Sequence, residues 1–209
     1  MKKLLLMMLL AGPVWAEDKP APNVDLAAVA VPGGVATYVA ALRLADLGVA
    51  GKDPLQVLTA ARMLRGLKVT PDARVPEGGK AGVVTVPDVA GMFDAARGMG
   101  AGGLVADLIE AVAAEVPPAG VAVRASTSVV EPGKSDHWKL AFYGGVFGEV
   151  AVIGMGLGVV VADEAGTVVC QNAASDRTVC GFTPVANGYF EVTVTNDRAG
   201  AQSYELVTN

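Results

Sequence analysis

The chain has 209 residues, with 16 Lys and Arg against 21 Asp and Glu, a formal net charge of −5. At 52% hydrophobic and 18% charged it is a folding chain rather than a disordered polyelectrolyte, and its acidity denies it the basic surface that nucleic acid or anionic lipid requires. A single histidine excludes a zinc site built from two or three histidines, so composition removes several functions and selects none.

The chain opens with Lys2 and Lys3, then an apolar run over residues 4–15, then Ala16-Glu17-Asp18. A positive start, a short apolar stretch and small residues at the −3 and −1 positions (Val14 and Ala16) predict a signal peptide cleaved after Ala16. The run is too short for the ~20 residues of a bilayer span, and no later stretch reaches 18 apolar residues without a charge or a turn signal. The expectation is an exported protein, periplasmic or extracellular, without a membrane span once the leader is removed.

Residues 17–33 form an extended lead-in containing Lys19-Pro20-Ala21-Pro22 and Val31-Pro32-Gly33-Gly34. Residues 34–118 then use Ala, Leu and Val at helical spacing. A first helix is expected over residues 35–47, closed by Gly48. A second opens at Asp53-Pro54-Leu55-Gln56, where Asp53 caps, Pro54 takes the first helical position and Gln56 completes a capping box. Residues 70–80, rich in Pro and Gly, read as a loop, and Pro87-Asp88 opens a shorter helix to Arg97. After a glycine-rich joint (Gly98, Gly100, Gly102, Gly103), the last helix carries Leu104, Leu108, Ile109, Val112 and Val116 as its expected buried stripe. The Ala-Ala-Arg triplets at residues 60–62 and 95–97 are too short a match to establish a helical repeat.

The Pro/Gly break at Val116-Pro117-Pro118-Ala119-Gly120 marks a change of pattern. Most aromatics of the mature chain follow it, and apolar residues then alternate with polar ones at Val121/Val123/Ala125, Val150/Val152, Val192/Val194 and Tyr204/Leu206. Turn clusters at residues 131–134, 143–145, 163–166, 186–188 and 196–200 separate these runs. The fold expected is α+β in two domains: a small helical bundle over residues 34–118, then an antiparallel, jelly-roll-like β-sandwich over residues 119–209.

Cys170 and Cys180, ten residues apart in β-rich runs, are the two cysteines. In an oxidising compartment they most simply form one disulfide, the competing reading being two reduced, buried thiols.

Within the second half, Trp138-x3-Phe142 leads to Gly144-Gly145, Val150-Ala151-Val152 and Gly154. Val159-x-Val161-x-Asp163-Glu164-x-Gly166, Asp176-x3-Cys180-x-Phe182-Thr183-Pro184 and Gly188-x-Phe190-x-Val192-x-Val194-x-Asn196 follow, and Tyr204-x-Leu206 closes the series. This pattern resembles the bacterial pre-peptidase C-terminal (PPC) type of β-sandwich over residues 136–209. The resemblance implies an accessory module of exported proteins. In that family an acidic stretch following the glycine equivalent to Gly154 implies calcium; here residues 155–159 carry no carboxylate, and the site is not carried over.

Other motifs compete with plainer readings. Gly154-x-Gly156-x-Gly158 mimics a dinucleotide-binding loop, but Val159 stands where the third glycine belongs and a strand, not a helix, follows. It reads as a tight turn between strands. His137 is the one imidazole available for acid–base work, with Ser135 and Asp136 beside it in sequence but in no triad motif. Asp163, Glu164 and Asp176 are the carboxylates from which an oxygen-ligated Ca²⁺ site would be assembled, although no dense acidic run supports one; no cofactor is expected. Tyr143 and Tyr189, close to glycine turns, are the aromatics placed for a binding surface, the others serving the core. The function expected is therefore non-enzymatic binding of an envelope or secreted protein partner, or of a surface glycan. The alternative is a secreted hydrolase, or a companion of a peptidase, using carboxylate or His137 chemistry.

Overall fold

The computed structural model describes residues 21–25, 27–28, 31–100 and 102–209. The expected signal peptide lies outside the described residues. Four helices and seven strands follow in the order α1 (Gly34–Gly51), α2 (Pro54–Arg65), β1 (Leu67–Pro71), α3 (Val89–Gly98), α4 (Leu104–Ala114), β2 (Val121–Val130), β3 (Lys134–Phe142), β4 (Gly148–Asp163), β5 (Val168–Phe182), β6 (Gly188–Asn196) and β7 (Gln202–Thr208).

The α2 start is built as its sequence predicts: Asp53 Oδ1 accepts from the Leu55 and Gln56 amides, and Pro54 opens the helix. Helix α1 runs past Gly48 and ends at Lys52, which adopts a left-handed conformation. Gly48 serves packing instead of termination, since a Cβ there would sit 2.7 Å from the Val57 side chain of α2. Helix α1 is long and apolar enough to cross a bilayer, but its Val35, Tyr38, Val39 and Ala41 are buried against the sheet. In α4 only Ile109 and Val112 of the expected stripe are buried. They pack with Val57, Leu58, Phe93 and Ala96 of α2 and α3, whereas Leu104 (87% exposed), Leu108 and Val116 lie on the solvent side.

The strands form one curled, mixed sheet in the order β1-β2-β7-β4-β6-β3, with β5 paired to β4. The expected antiparallel sandwich is replaced by this continuous path for two reasons. First, β1, which no sequence signal marked and whose last two residues fall in the expected loop over residues 70–80, pairs parallel to β2 from Leu67↔Val121 to Pro71↔Ala125, with α3 and α4 as the crossover between them. Second, β4 runs unbroken through the glycines that read as a turn, with β5 paired along it. The first part of β4 (Val150 to Ile153) pairs with β7 and its last part (Gly158 to Asp163) with β6. Between them the β4–β5 register slips, and Gly156 (φ +63°) and Ala174 (φ +54°) turn the two chains. Val150 and Val161 of β4 pair with Cys180 and Cys170, and a straight strand would hold such positions about 35 Å apart. The Cα atoms of the two cysteines are instead 5.9 Å apart and joined as a disulfide, so the ribbon doubles back and is tied.

Inside the curl lies a core that includes Trp138, Leu140, Phe142, Phe182, Phe190 and Leu206. A buried polar set crosses it: Ser128 Oγ (3.0 Å) and Tyr204 OH (2.7 Å) both donate to Asp136 Oδ2, and Trp138 Nε1 donates to Tyr204 OH at 2.7 Å. A second core draws on residues from both sides of position 119. Val35, Tyr38, Val39 and Leu64 pack in one cluster with Val123, Ala125, Ala151 and Val207. A buried carboxylate joins the same two parts: Glu149 of β4 accepts from the Gly33 amide at 2.9 Å and the Val35 amide at 3.0 Å, capping α1.

The Pro- and Gly-rich segment after β1 crosses from β2 to β3. Asp72 N donates to Ala125 O (2.7 Å), Glu77 N to His137 O (2.8 Å) and Gly82 N to Thr127 O (2.6 Å). It thus covers part of the edge that β3 would otherwise present to solvent.

Candidate ligand-binding site

At one end of the β3–β6 ladder the pairing runs Ala141↔Tyr189 and Phe142↔Gly188. Tyr143 leaves β3 just beyond this last pair, so the two tyrosines expected at the surface arrive at neighbouring positions on adjacent strands. Their turns interlock. Gly144 N donates to Asn187 Oδ1 and Gly145 N to Pro184 O, both at 2.8 Å. A Cβ on Gly144 would lie 2.6 Å from the Ala186 backbone, and Gly145 has φ +72°; glycine is needed at both positions.

Tyr143 is 74% exposed and Tyr189 46%. Both line a cleft of about 700 Å³, together with Phe147, Asn187, Arg74 and Arg124. Lys139 Nζ lies 4.6 Å from the centre of the Tyr189 ring. The arginines come from opposite sides of the expected domain boundary: Arg74 from the segment after β1, Arg124 from β2. Asp72 Oδ2 lies 2.8 Å from Arg74 Nε and 3.7 Å from Arg124 Nη1, and Arg74 Nη2 donates to Thr208 Oγ1 at 2.9 Å. Burial pulls the Arg74 pKa below its ordinary value; Asp72 opposes that shift and the Arg124 charge adds to it.

Neither arginine was singled out by sequence. The alternation around Val123 and Ala125 turns Arg124 outward, but the strand pairing that carries Arg74 to it joins residues 50 positions apart and left no local signal.

A second cleft, of about 520 Å³, lies on the outer face of β3, β6 and β4 and shares Tyr189 with the first. It contains His137, whose Nδ1 is 2.7 Å from Glu191 Oε1 and 3.4 Å from Thr193 Oγ1. Strand alternation puts Asp136 on the opposite face from Ser135 and His137. Asp136 points into the core, and Ser135 Oγ bonds Thr195 Oγ1 at 2.8 Å instead of the imidazole. No Ser-His-Asp constellation results.

The three carboxylates weighed as calcium ligands are not brought together. Asp163, buried at the end of β4, accepts from the amides of Asn23, Ala165 and Thr167 at 2.8–3.0 Å. Burial works to raise its pKa, but these amides outweigh it and hold the carboxyl below its usual value. Asp163 thus organises the β4–β5 turn and ties the lead-in to it, while Glu164 is exposed. Asp176 accepts from Gly156 N (2.8 Å) at the bend of the ribbon, on the order of 20 Å of strand from Asp163. Among the described residues no group of three His, Cys, Asp or Glu side chains is placed to hold a metal ion. The glycines of the dinucleotide-like motif belong to β4, so no helix N-terminus follows them.

No protein-family model matches the sequence, and no curated protein matches it at a significant level. Solved structures with a partial likeness include a de novo designed double-stranded β-helix determined in solution by NMR. It has a TM-score of 0.29 at 13% identity, covering 41% of this chain and 99% of that one. PliG from Aeromonas hydrophila, a periplasmic inhibitor of g-type lysozyme, has a TM-score of 0.31 at 15% identity, covering 42% and 86%. The carbohydrate-binding module CBM36, in complex with calcium and xylotriose, has a TM-score of 0.27 at 15% identity, covering 39% and 77%.

Proposed function

We propose that the chain is an exported, non-enzymatic binding protein that takes a glycan in the cleft between Tyr143 and Tyr189. One observation carries the reading: two exposed tyrosine rings, supplied by interlocked turns on adjacent strands, line the same cleft as the amide of Asn187. Aromatic rings offer flat apolar faces against which a sugar ring stacks, and amide and guanidinium groups bond its hydroxyls. The Cys170–Cys180 disulfide supports an oxidising compartment, in keeping with the expected signal peptide. The resemblance of residues 136–209 to the PPC type fits an accessory role of this kind.

The test is a glycan array probed with the purified protein, followed by titration of the retained sugars. Tyr143→Ala and Tyr189→Ala should each weaken binding by about tenfold. If no glycan is retained, or the tyrosine variants bind as the wild type does, the reading fails. Turnover of a substrate, lost on His137→Ala, would favour a hydrolase in the neighbouring cleft.

A further inference from the structure

We infer that the glycan bound in the Tyr143–Tyr189 cleft is an acidic one, whose carboxylate is recognised by Arg124. The inference rests on the binding reading above and narrows it. In a chain with a net charge of −5, the charged side chains lining this cleft are two arginines. One carboxylate, Asp72, serves both, and it serves them unequally: it lies 2.8 Å from Arg74 and 3.7 Å from Arg124. Arg74 is engaged by Asp72 and by the Thr208 hydroxyl. The Arg124 side chain is 66% exposed and donates no hydrogen bond to any described residue. Its position is set by the backbone, since Arg124 pairs with Thr70 on one side and Thr208 on the other, between two strands.

A guanidinium offers a planar fork of donors that matches the two oxygens of a carboxylate. Here the fork projects from a strand paired on both sides, without a full partner, into a cleft lined by two exposed aromatic rings. A uronic acid has the matching pair of features: a pyranose face to stack on tyrosine and a carboxylate on the ring. An acidic peptide would satisfy Arg124 but has no comparable use for both rings. Burial and the neighbouring positive charge already disfavour the charged form of Arg74, so an anion arriving beside the pair relieves their repulsion.

The test is calorimetric titration of the full chain with tetramers of galacturonic, guluronic and glucuronic acid. Each is compared with its methyl ester, which keeps the ring and removes the charge. At least one free acid should bind, at least about tenfold tighter than its ester. Raising salt from about 50 mM to about 500 mM should weaken the acid and leave the ester alone. Arg124→Gln should bring the acid down to the affinity of the ester, and Arg124→Glu should take it lower, with the thermal midpoint of both variants near that of the wild type. If acid and ester bind alike and both depend on the tyrosines, the glycan reading stands and the acidic assignment falls. It falls equally if only neutral sugars from the array are retained, or if a sulfated oligosaccharide binds more tightly than every uronic acid. If no saccharide binds at all, both fall.

Discussion

Replacing Glu149 with alanine would leave the first turn of α1 with two amide donors, on Gly33 and Val35, that lose their partner. The carboxylate is 1% exposed, so water does not readily substitute. Hydrogen bonds to a buried charged group are among the stronger ones, and the expected loss is about 3 kcal/mol in urea denaturation; a loss below about 1 kcal/mol would show that the cap is not what holds the helix. A second contact between helix and sheet is pH-sensitive. Tyr38 OH donates to Glu205 Oε1 at 3.0 Å. Burial raises the Glu205 pKa above its ordinary 4.5, and the Tyr38 hydrogen bond only partly offsets this. The folded state therefore holds that proton more tightly than the unfolded state. The associated stability is fully present below pH 4.5 and is lost as pH rises through the folded pKa. Glu205→Gln should flatten the fall in melting temperature over that window, while Tyr38→Phe should extend it to higher pH. A profile unchanged by either substitution would contradict the assignment.

The doubled-back β4–β5 ribbon shows what an element can carry beyond its local pattern. Cys170 and Cys180 pair with opposite ends of β4, so their bond ties two separated parts of one curled sheet. Converting both to alanine removes a constraint on a short loop of the unfolded chain and should cost about 3 kcal/mol, read as the difference between denaturation curves of the two proteins. The bend carries a non-glycine residue in the left-handed region, Ala174 with φ +54°. Ala174→Gly should stabilise by about 1 kcal/mol, and destabilisation instead would mean that the methyl group is packed and needed. In α4, spacing alone did not tell which of Leu104, Leu108, Ile109, Val112 and Val116 face inward. An amphipathic stripe shows that a helix has an apolar side; the neighbours α2 and α3 decide how much of it is covered.

For the whole molecule, the shared core of Val35, Tyr38, Val39 and Leu64 with Val123, Ala125, Ala151 and Val207 predicts one cooperative unfolding transition. A fragment of residues 119–209 would lack β1 beside β2 and would expose Ala151 and Val207; it should fail to give the sharp thermal transition of the full chain. Two separable calorimetric transitions would instead establish two domains divided at residue 119. Much of the fold was legible in the sequence where the signal is local: the α2 cap, the β-rich second half, the cysteine pair and the surface tyrosines all depend on residues within a turn or a strand period of one another. The parallel β1–β2 pair, the fold-back of β4 and β5, and the meeting of Arg74 with Arg124 and Tyr143 did not show there. They depend on contacts between residues 50 or more positions apart, or on a strand continuing through glycines that locally favour a turn. The sequence by itself determined the four helices, most of the strands, the cysteine pair and the exposed tyrosines. The tertiary structure decided which of them share one core and one cleft, because burial and strand pairing are satisfied across the whole chain, whereas propensity acts only between neighbours.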